Sequence, residues 1–317
     1  MLFRIFIVFA TLVLFPGMIA GADLSFKADG EGFFSFDTGV LKGRLQADEH
    51  SQGIPTMVDV KSGRELAYGG NNPGIFSYYR MFSKGKRWAD TARPLPKSAE
   101  VTEDGGVRVH WPSGEDHPFE MSAIYRWAAP NILDLETRVK PHIDMECFEI
   151  FLSSYFNENF RSLVYTQPTR YLESGPSIVS VDVNPLIEGT YVAFPRDLEA
   201  AQIIYDGRWE LGQHPVQFSI TRYYEVPLCM KRDSTNGMAI IMMSPFEDCF
   251  AIETPYNMDP PDNVASHYSM YMSFFGIDIP AGEEKRARAR LVFERDIGEQ
   301  HALDLYDEYM EQLDSKN

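Results

Sequence analysis

Residues 250–263, FAIETPYNMDPPDN, set a glutamate inside an apolar, strand-like run and follow it with a turn-rich loop that carries Asp262 and Asn263. Side chains alternate across a strand, so Glu253 is expected on the face of Cys249 and Ala251, opposite Phe250, Ile252 and Thr254. Two small neighbours leave room for a ligand beside the carboxyl, and a carboxyl held there can accept or release a proton. A glutamate at a strand end that merely meets water is the plainer reading, and the pattern leaves both open. A second candidate is KPHIDMECFEI, where His142, Asp144 and Glu146 alternate onto one expected strand face. A carboxylate beside an imidazole raises its pKa and orients the ring, which makes His142 a candidate acid. One imidazole and two carboxylates can also ligate a metal, although a period-two run of polar residues is what any wet strand face shows, and no metal is expected.

The third signal is a set of aromatic–polar clusters: GIFSYYR, SSYFNEN, ITRYYEVPL and SHYSMYMSFFG. A sugar stacks its C–H faces on aromatic rings while planar polar groups bond its hydroxyls. Arg80, Tyr155, Asn157, Arg222, Tyr224 and Glu253 would line such a place if their strands converge. Each tyrosine taken singly is better explained as core with its hydroxyl at the rim. The set points to a concave face with a carbohydrate as ligand.

These residues sit on strands. NILDLETRV puts Leu133, Leu135, Thr137 and Val139 on one face and Asp134, Glu136 and Arg138 on the other. KRARARLVFE alternates Ala287, Ala289, Leu291 and Phe293 with Arg286, Arg288, Arg290 and Val292. Both have the period of a sheet with one buried face. GFFSFDTGVLKGRL reads as two strands joined at Asp37-Thr38-Gly39, and GMAIIMMSPFEDCFAIETPYN as a hairpin turning at Ser244–Asp248. Only the end changes period: Ala302, Leu305, Tyr306, Tyr309 and Leu313 form one stripe of an expected helix over residues 299–314. So many regularly spaced strands predict an all-β fold of two large packed antiparallel sheets with a C-terminal helix. The sequence shows no repeat or linker, and residues 23–317 are expected to be one domain.

Composition narrows the partner. A formal charge of −17 over 317 residues opposes nucleic acid and anionic lipid surfaces and favours neutral or weakly charged ligands. Residues 1–22 combine Arg4, an apolar run from Ile5 to Leu14, Pro16 and Ala20-Gly21-Ala22, the layout of an export signal with an apolar run too short to span a bilayer, an uncleaved anchor being the alternative. The mature chain is therefore expected in the periplasm or outside the cell, with no membrane contact. Cys147, Cys229 and Cys249 allow one disulfide, such as Cys229 to Cys249, or buried free thiols. Phosphate-cradling loops, nucleophile elbows and dinucleotide fingerprints are all missing, so no cofactor is expected.

Four stretches carry a family resemblance. AIETPYN with PPDN is similar to the L-E-T-Q and P-D-A-x-N segments of aldose 1-epimerases (galactose mutarotases), and IPAGEEKRARARLVFE to that family's L-x-P-G-E turn and last strand. SYYRMFS resembles Y-A-N-R-I, and FLSSYFNEN resembles L-T-N-H-S-Y-F-N. The resemblance implies a β-supersandwich, Glu253 as general base, Arg80 as a sugar-hydroxyl ligand and Asp262 in the substrate loop. It also implies a histidine as acid, where this chain has Ser153. Glu253 and Pro261 are further apart than the family pattern has them, and Pro255 replaces its glutamine. The expectation is an exported carbohydrate-active protein with epimerase-like, lyase or hydrolase chemistry, and the alternative a non-catalytic sugar-binding or structural protein of the same fold.

Overall fold

The computed structural model describes residues 23–68, 74–157, 159–169, 175–181, 191–233, 235–255 and 268–315. Strands β1 (Lys27–Ala28), β2 (Phe33–Asp37), β3 (Leu41–Ala47) and β4 (Gln52–Asp59) make a four-stranded meander. Next come β5 (Ser77–Ser83), β6 (Lys86–Arg87), β7 (Ser98–Val101), β8 (Val107–Trp111), β9 (Phe119–Ala129) and β10 (Ile132–Pro141). Strands β11 (Met145–Tyr155), β12 (Phe160–Thr166), β13 (Ser177–Ser180) and β14 (Tyr191–Pro195) lead to a short helix, α1 (Leu198–Ile204), and a 3-10 turn at Arg208–Glu210. The chain closes with β15 (Phe218–Ile220), β16 (Tyr224–Asp233), β17 (Met238–Met243), β18 (Cys249–Pro255), β19 (Ser269–Ile279), β20 (Lys285–Arg295) and α2 (Glu299–Asp314).

Two large sheets face each other. One has nine strands in the order β13-β12-β16-β17-β20-β10-β9-β8-β7, the other seven in the order β15-β14-β18-β19-β11-β5-β6. Pairing is antiparallel throughout except β14 with β15. The alternation read from the sequence is what packs them: Leu133, Leu135, Thr137 and Val139, with Ala287, Ala289, Leu291 and Phe293, are all buried on the inner face of the nine-stranded sheet. Phe148, Ile150, Leu152, Ile252, Met270 and Met272 answer from the seven-stranded sheet, and Phe34, Phe36 and Trp127 continue the same core under the meander. Each fully buried Leu, Ile or Phe stabilises the fold by roughly 2 kcal/mol.

Each large sheet also has a covered outer face. α2 lays Ala302, Tyr306 and Tyr309 on Leu228, Ile241, Met243 and Val292 of the nine-stranded sheet. On the seven-stranded sheet, α1 and the 3-10 turn pack Ala200, Ile204 and Trp209 on Phe82, Phe151, Ala193 and Ala251.

Two details differ from the sequence reading. β17 and β18 are not a hairpin: β17 pairs with β16 and β20 in one sheet, β18 with β14 and β19 in the other. Ser244–Asp248 carries the chain across, tied to β20 by Ser244 Oγ donating to the Arg288 carbonyl and by Asp248 accepting from Arg288. Both strands are buried on both faces, so neither could leave a side exposed as a two-stranded ribbon would. Cys249 is likewise not on the face of Glu253. A bulge between Cys249 and Ala251 turns it into the inter-sheet core. Cys229 and Cys249 are buried and unbonded, and Cys147 is a half-buried free thiol.

Candidate active site on the outer face of the seven-stranded sheet

Cross-strand register sets the site. Ala193, Glu253, Tyr271, Ser153 and Ser77 form one row across β14, β18, β19, β11 and β5. Directly opposed residues share a face, and neighbouring strands are about 4.8 Å apart, so Glu253 and Ser153 stand about 10 Å apart with Tyr271 between them. The adjacent row brings Ala251, Ser273 and Phe151 to the same side. Thr254, one residue on, points the other way and joins Ser162 and the buried Lys231 in the inter-sheet core.

Glu253 is 1% exposed. Its Oε1 lies 2.9 Å from Ser273 Oγ, which is also 3.0 Å from Oε1 of Glu149, a second fully buried glutamate. Glu149 Oε2 accepts from Arg208 Nη1 at 2.9 Å, and Arg208 also forks onto Asp206. Gly207, at φ 90°, makes the turn that sends Arg208 down onto the sheet, a conformation L side chains avoid. Burial works against the Arg208 charge, but Glu149 and Asp206 hold the guanidinium above its ordinary range. Burial also raises Glu149, while Arg208 pulls it back.

The hydroxyl of Ser273 has one proton for two carboxyl oxygens. Arg208 favours the charged form of Glu149, and with the Ser273 proton on that side the 2.9 Å contact is one that a protonated Glu253 can make as donor. Burial first, then the charge of Glu149, push its pKa well above the ordinary 4.5, only partly offset by Ser273. Oε2 is left buried without a hydrogen-bond partner among the described residues. That is an acceptor waiting for a donor.

The far end of the row is cationic and aromatic. Arg93 donates from Nη2 to Tyr155 Oη at 2.9 Å and to Ser153 Oγ at 3.2 Å, with its guanidinium 4.5 Å from the Tyr79 ring centre. Arg80 lies on the same ring at 4.9 Å and on Trp209 at 5.1 Å. Tyr191 stacks near Tyr271, and burial lifts its phenol to about 12.

The structure therefore brings together Glu253, Tyr155 and Arg80 of the residues expected from sequence, and separates others. Tyr224 is fully buried in the inter-sheet core, its hydroxyl donating to the Cys249 carbonyl, because its strand belongs to the nine-stranded sheet. Asn157 binds the Glu65 carbonyl beyond the end of β11. Arg222 is half-buried between β15 and β16, its Nη1 without a partner. His142 lies on the turn before β11, half-exposed and 3.6 Å from Glu120; Asp144 accepts from the Ala281 amide and Glu146 pairs with Lys84. The chain bends at His142 and Ile143, so the three never share a strand face. No group of three metal-ligating side chains occurs among the described residues. Asp262 lies outside the described residues.

No protein-family model matches the chain, and no curated protein does. Solved structures do. A galactose mutarotase related enzyme from Lactobacillus acidophilus superposes with a TM-score of 0.51 at 12% identity, over 84% of this chain and 99% of that one. A protein of Synechocystis sp. PCC 6803 gives 0.52 at 11% identity over 86% and 99%. A galactose mutarotase-like protein from Lactobacillus casei ATCC 334 gives 0.50 at 10% identity over 83% and 100%. The fold is galactose mutarotase-like. Within this galactose mutarotase-like sandwich, sequence reasoning missed Glu149, Ser273, Arg208, Arg93 and Tyr79. Glu149 had a signal, a carboxylate inside the apolar run MECFEIFLSSY, where a charge is rarely buried without a partner. Arg93 and Arg208 come from loops and had none.

Proposed function

We propose that the outer face of the seven-stranded sheet binds a carbohydrate and that Glu253 exchanges a proton with it. One observation carries the reading: a fully buried carboxyl with one oxygen that has no partner among the described residues, in one row with Tyr271 and Ser153 and on the sheet face that carries aromatic rings and guanidinium groups. The fold-sharing galactose mutarotase related enzyme supports a sugar as ligand. A sugar hydroxyl bonded to Oε2 would give up its proton there while Oε1 releases its own to Ser273, which passes its proton to Glu149. Glu253 is thus the general base and Glu149 the proton sink, an arrangement worth about 10²–10⁴ in rate. Residues 1–22 are proposed to direct export, which N-terminal sequencing of the mature protein tests.

Screening matched glycans for binding, then analysing products with wild type and Glu253→Gln, tests the assignment. The variant should still bind and should form product at least about 100-fold more slowly. The same products at the same rate would remove Glu253 as base. A second reading, sugar binding without turnover, is favoured by one feature: where the mutarotase resemblance has a histidine, this chain has Ser153 capped by Arg93. Wild type that binds sugars and alters none would establish it.

A further inference from the structure

Arg80 is 1% exposed, yet it makes few contacts. Nη2 donates to the His214 carbonyl at 2.7 Å and to Tyr79 Oη at 3.5 Å, while Nε and Nη1 are buried with no partner among the described residues. Arg93 likewise buries an unpartnered Nε, and its other bonds go to the neutral hydroxyls of Ser153 and Tyr155. Neither pairs with a carboxylate among the described residues, although the chain has 46 acidic residues against 29 basic ones. For Arg80, a buried guanidinium without a counter-charge is costly, since buried charges are normally paired; Arg93 is half-buried beside it. Arg208 shows the rule obeyed on the same face, with Glu149 and Asp206 both on its guanidinium.

Arg87 shows what a purely structural arginine does here. It spends Nη1 and Nη2 on the carbonyls of Leu211, Gln213 and Asp90 and so holds the 211–213 loop, with only Nε left over among the described residues. Arg80 has only one such bond. Both Arg80 and Arg93 lie within 5 Å of the centre of the Tyr79 ring, a half-exposed aromatic surface on which a sugar can stack.

We infer that the sugar taken by this site carries an anionic group, a carboxylate or a sulfate, that pairs with Arg93 and Arg80. The inference rests on the carbohydrate reading above and narrows it. The N–H groups left over among the described residues, Nε and Nη1 of Arg80 and Nε of Arg93, can each give such a group a charge-assisted bond, stronger than one to a neutral hydroxyl.

The test is calorimetric titration of wild type with methyl glycosides that differ in one group: galactose against galacturonic acid, glucose against glucuronic acid, and N-acetylglucosamine against its 6-sulfate. At least one anionic member should bind roughly tenfold or more tighter than its neutral partner. A preference confined to the uronates identifies a carboxylate; one confined to the 6-sulfate identifies a sulfate. Arg93→Gln, at a half-exposed position and with its fold checked by circular dichroism, should shrink the preference to less than about threefold, and Arg93→Lys should restore only part of it. Neutral members binding as tightly as their anionic partners would overturn the inference and leave the carbohydrate reading standing. Failure of every member to bind would overturn both. A preference that survives Arg93→Gln undiminished would also overturn the assignment to these arginines.

Discussion

The outer faces of the two large sheets have the same architecture and opposite electrostatics. Under α2, Arg290 forks onto Asp134 and bonds Gln312, and Arg288 is held by Asp248. The depression of about 410 Å³ further along that face is lined with charges that answer each other, including Arg138 with Glu136 and Glu284. Under α1, by contrast, pairing stops partway. Arg208 and Glu149 are satisfied, while Glu253, Arg80 and Arg93 keep buried polar atoms with no partner among the described residues. A helix laid on a sheet can complete its polar groups, and on one face of this protein it does. The other face has donors and an acceptor left over among the described residues, within a few strands of one another, and the proposed site is built on them.

Four substitutions sharpen or break that contrast. Arg208→Ala strips the cation from a fully buried Glu149 and should cost about 3–5 kcal/mol in urea unfolding. Arg290→Ala, on the satisfied face, should cost less, about 1–3 kcal/mol, since Asp134 is partly exposed and can take up water. Glu253→Gln is read against pH. The folded chain holds the Glu253 proton more tightly than the unfolded chain, so its contribution is full below the ordinary value of 4.5 and is lost as pH rises toward the raised one. The glutamine variant lacks this loss, and its stability relative to wild type should climb from pH 5 to pH 8 by at most about 1.4 kcal/mol per unit. A flat difference would mean that Glu253 is ionised in the fold. Arg80→Met is the smallest effect: replacing an unpaired buried guanidinium with an apolar chain should change stability by less than about 1 kcal/mol, or raise it. A loss as large as that of Arg208→Ala would show Arg80 to be an ordinary structural residue.

The scaffold was legible because strand alternation is local. NILDLETRV and KRARARLVFE state their buried faces residue by residue, and the switch of period at Glu299 marks α2. What lay hidden depends on pairing. Nothing in SPFED says that the chain changes sheets there, and nothing in CFA announces the bulge that turns Cys249 inward. Glu253 was expected beside Cys249 and Ala251, of which only Ala251 shares its face. Its neutral state was not legible, because that follows from Ser273 and Glu149, which arrive from β19 and β11. Tyr224 was misplaced for the same reason: its aromatic–polar neighbourhood resembles a rim, but β16 pairs into the other sheet.

The protonation of Glu253 is best measured on the group itself, by carbon NMR of protein labelled at the glutamate carboxyl carbons, wild type beside Glu253→Gln. The structure predicts one resonance that is still that of a carboxylic acid at pH 6, absent from the variant and displaced when a bound uronate or other sugar is added. Carboxyl carbons all ionised by pH 5.5, or a Glu253 resonance that no bound sugar moves, would contradict it.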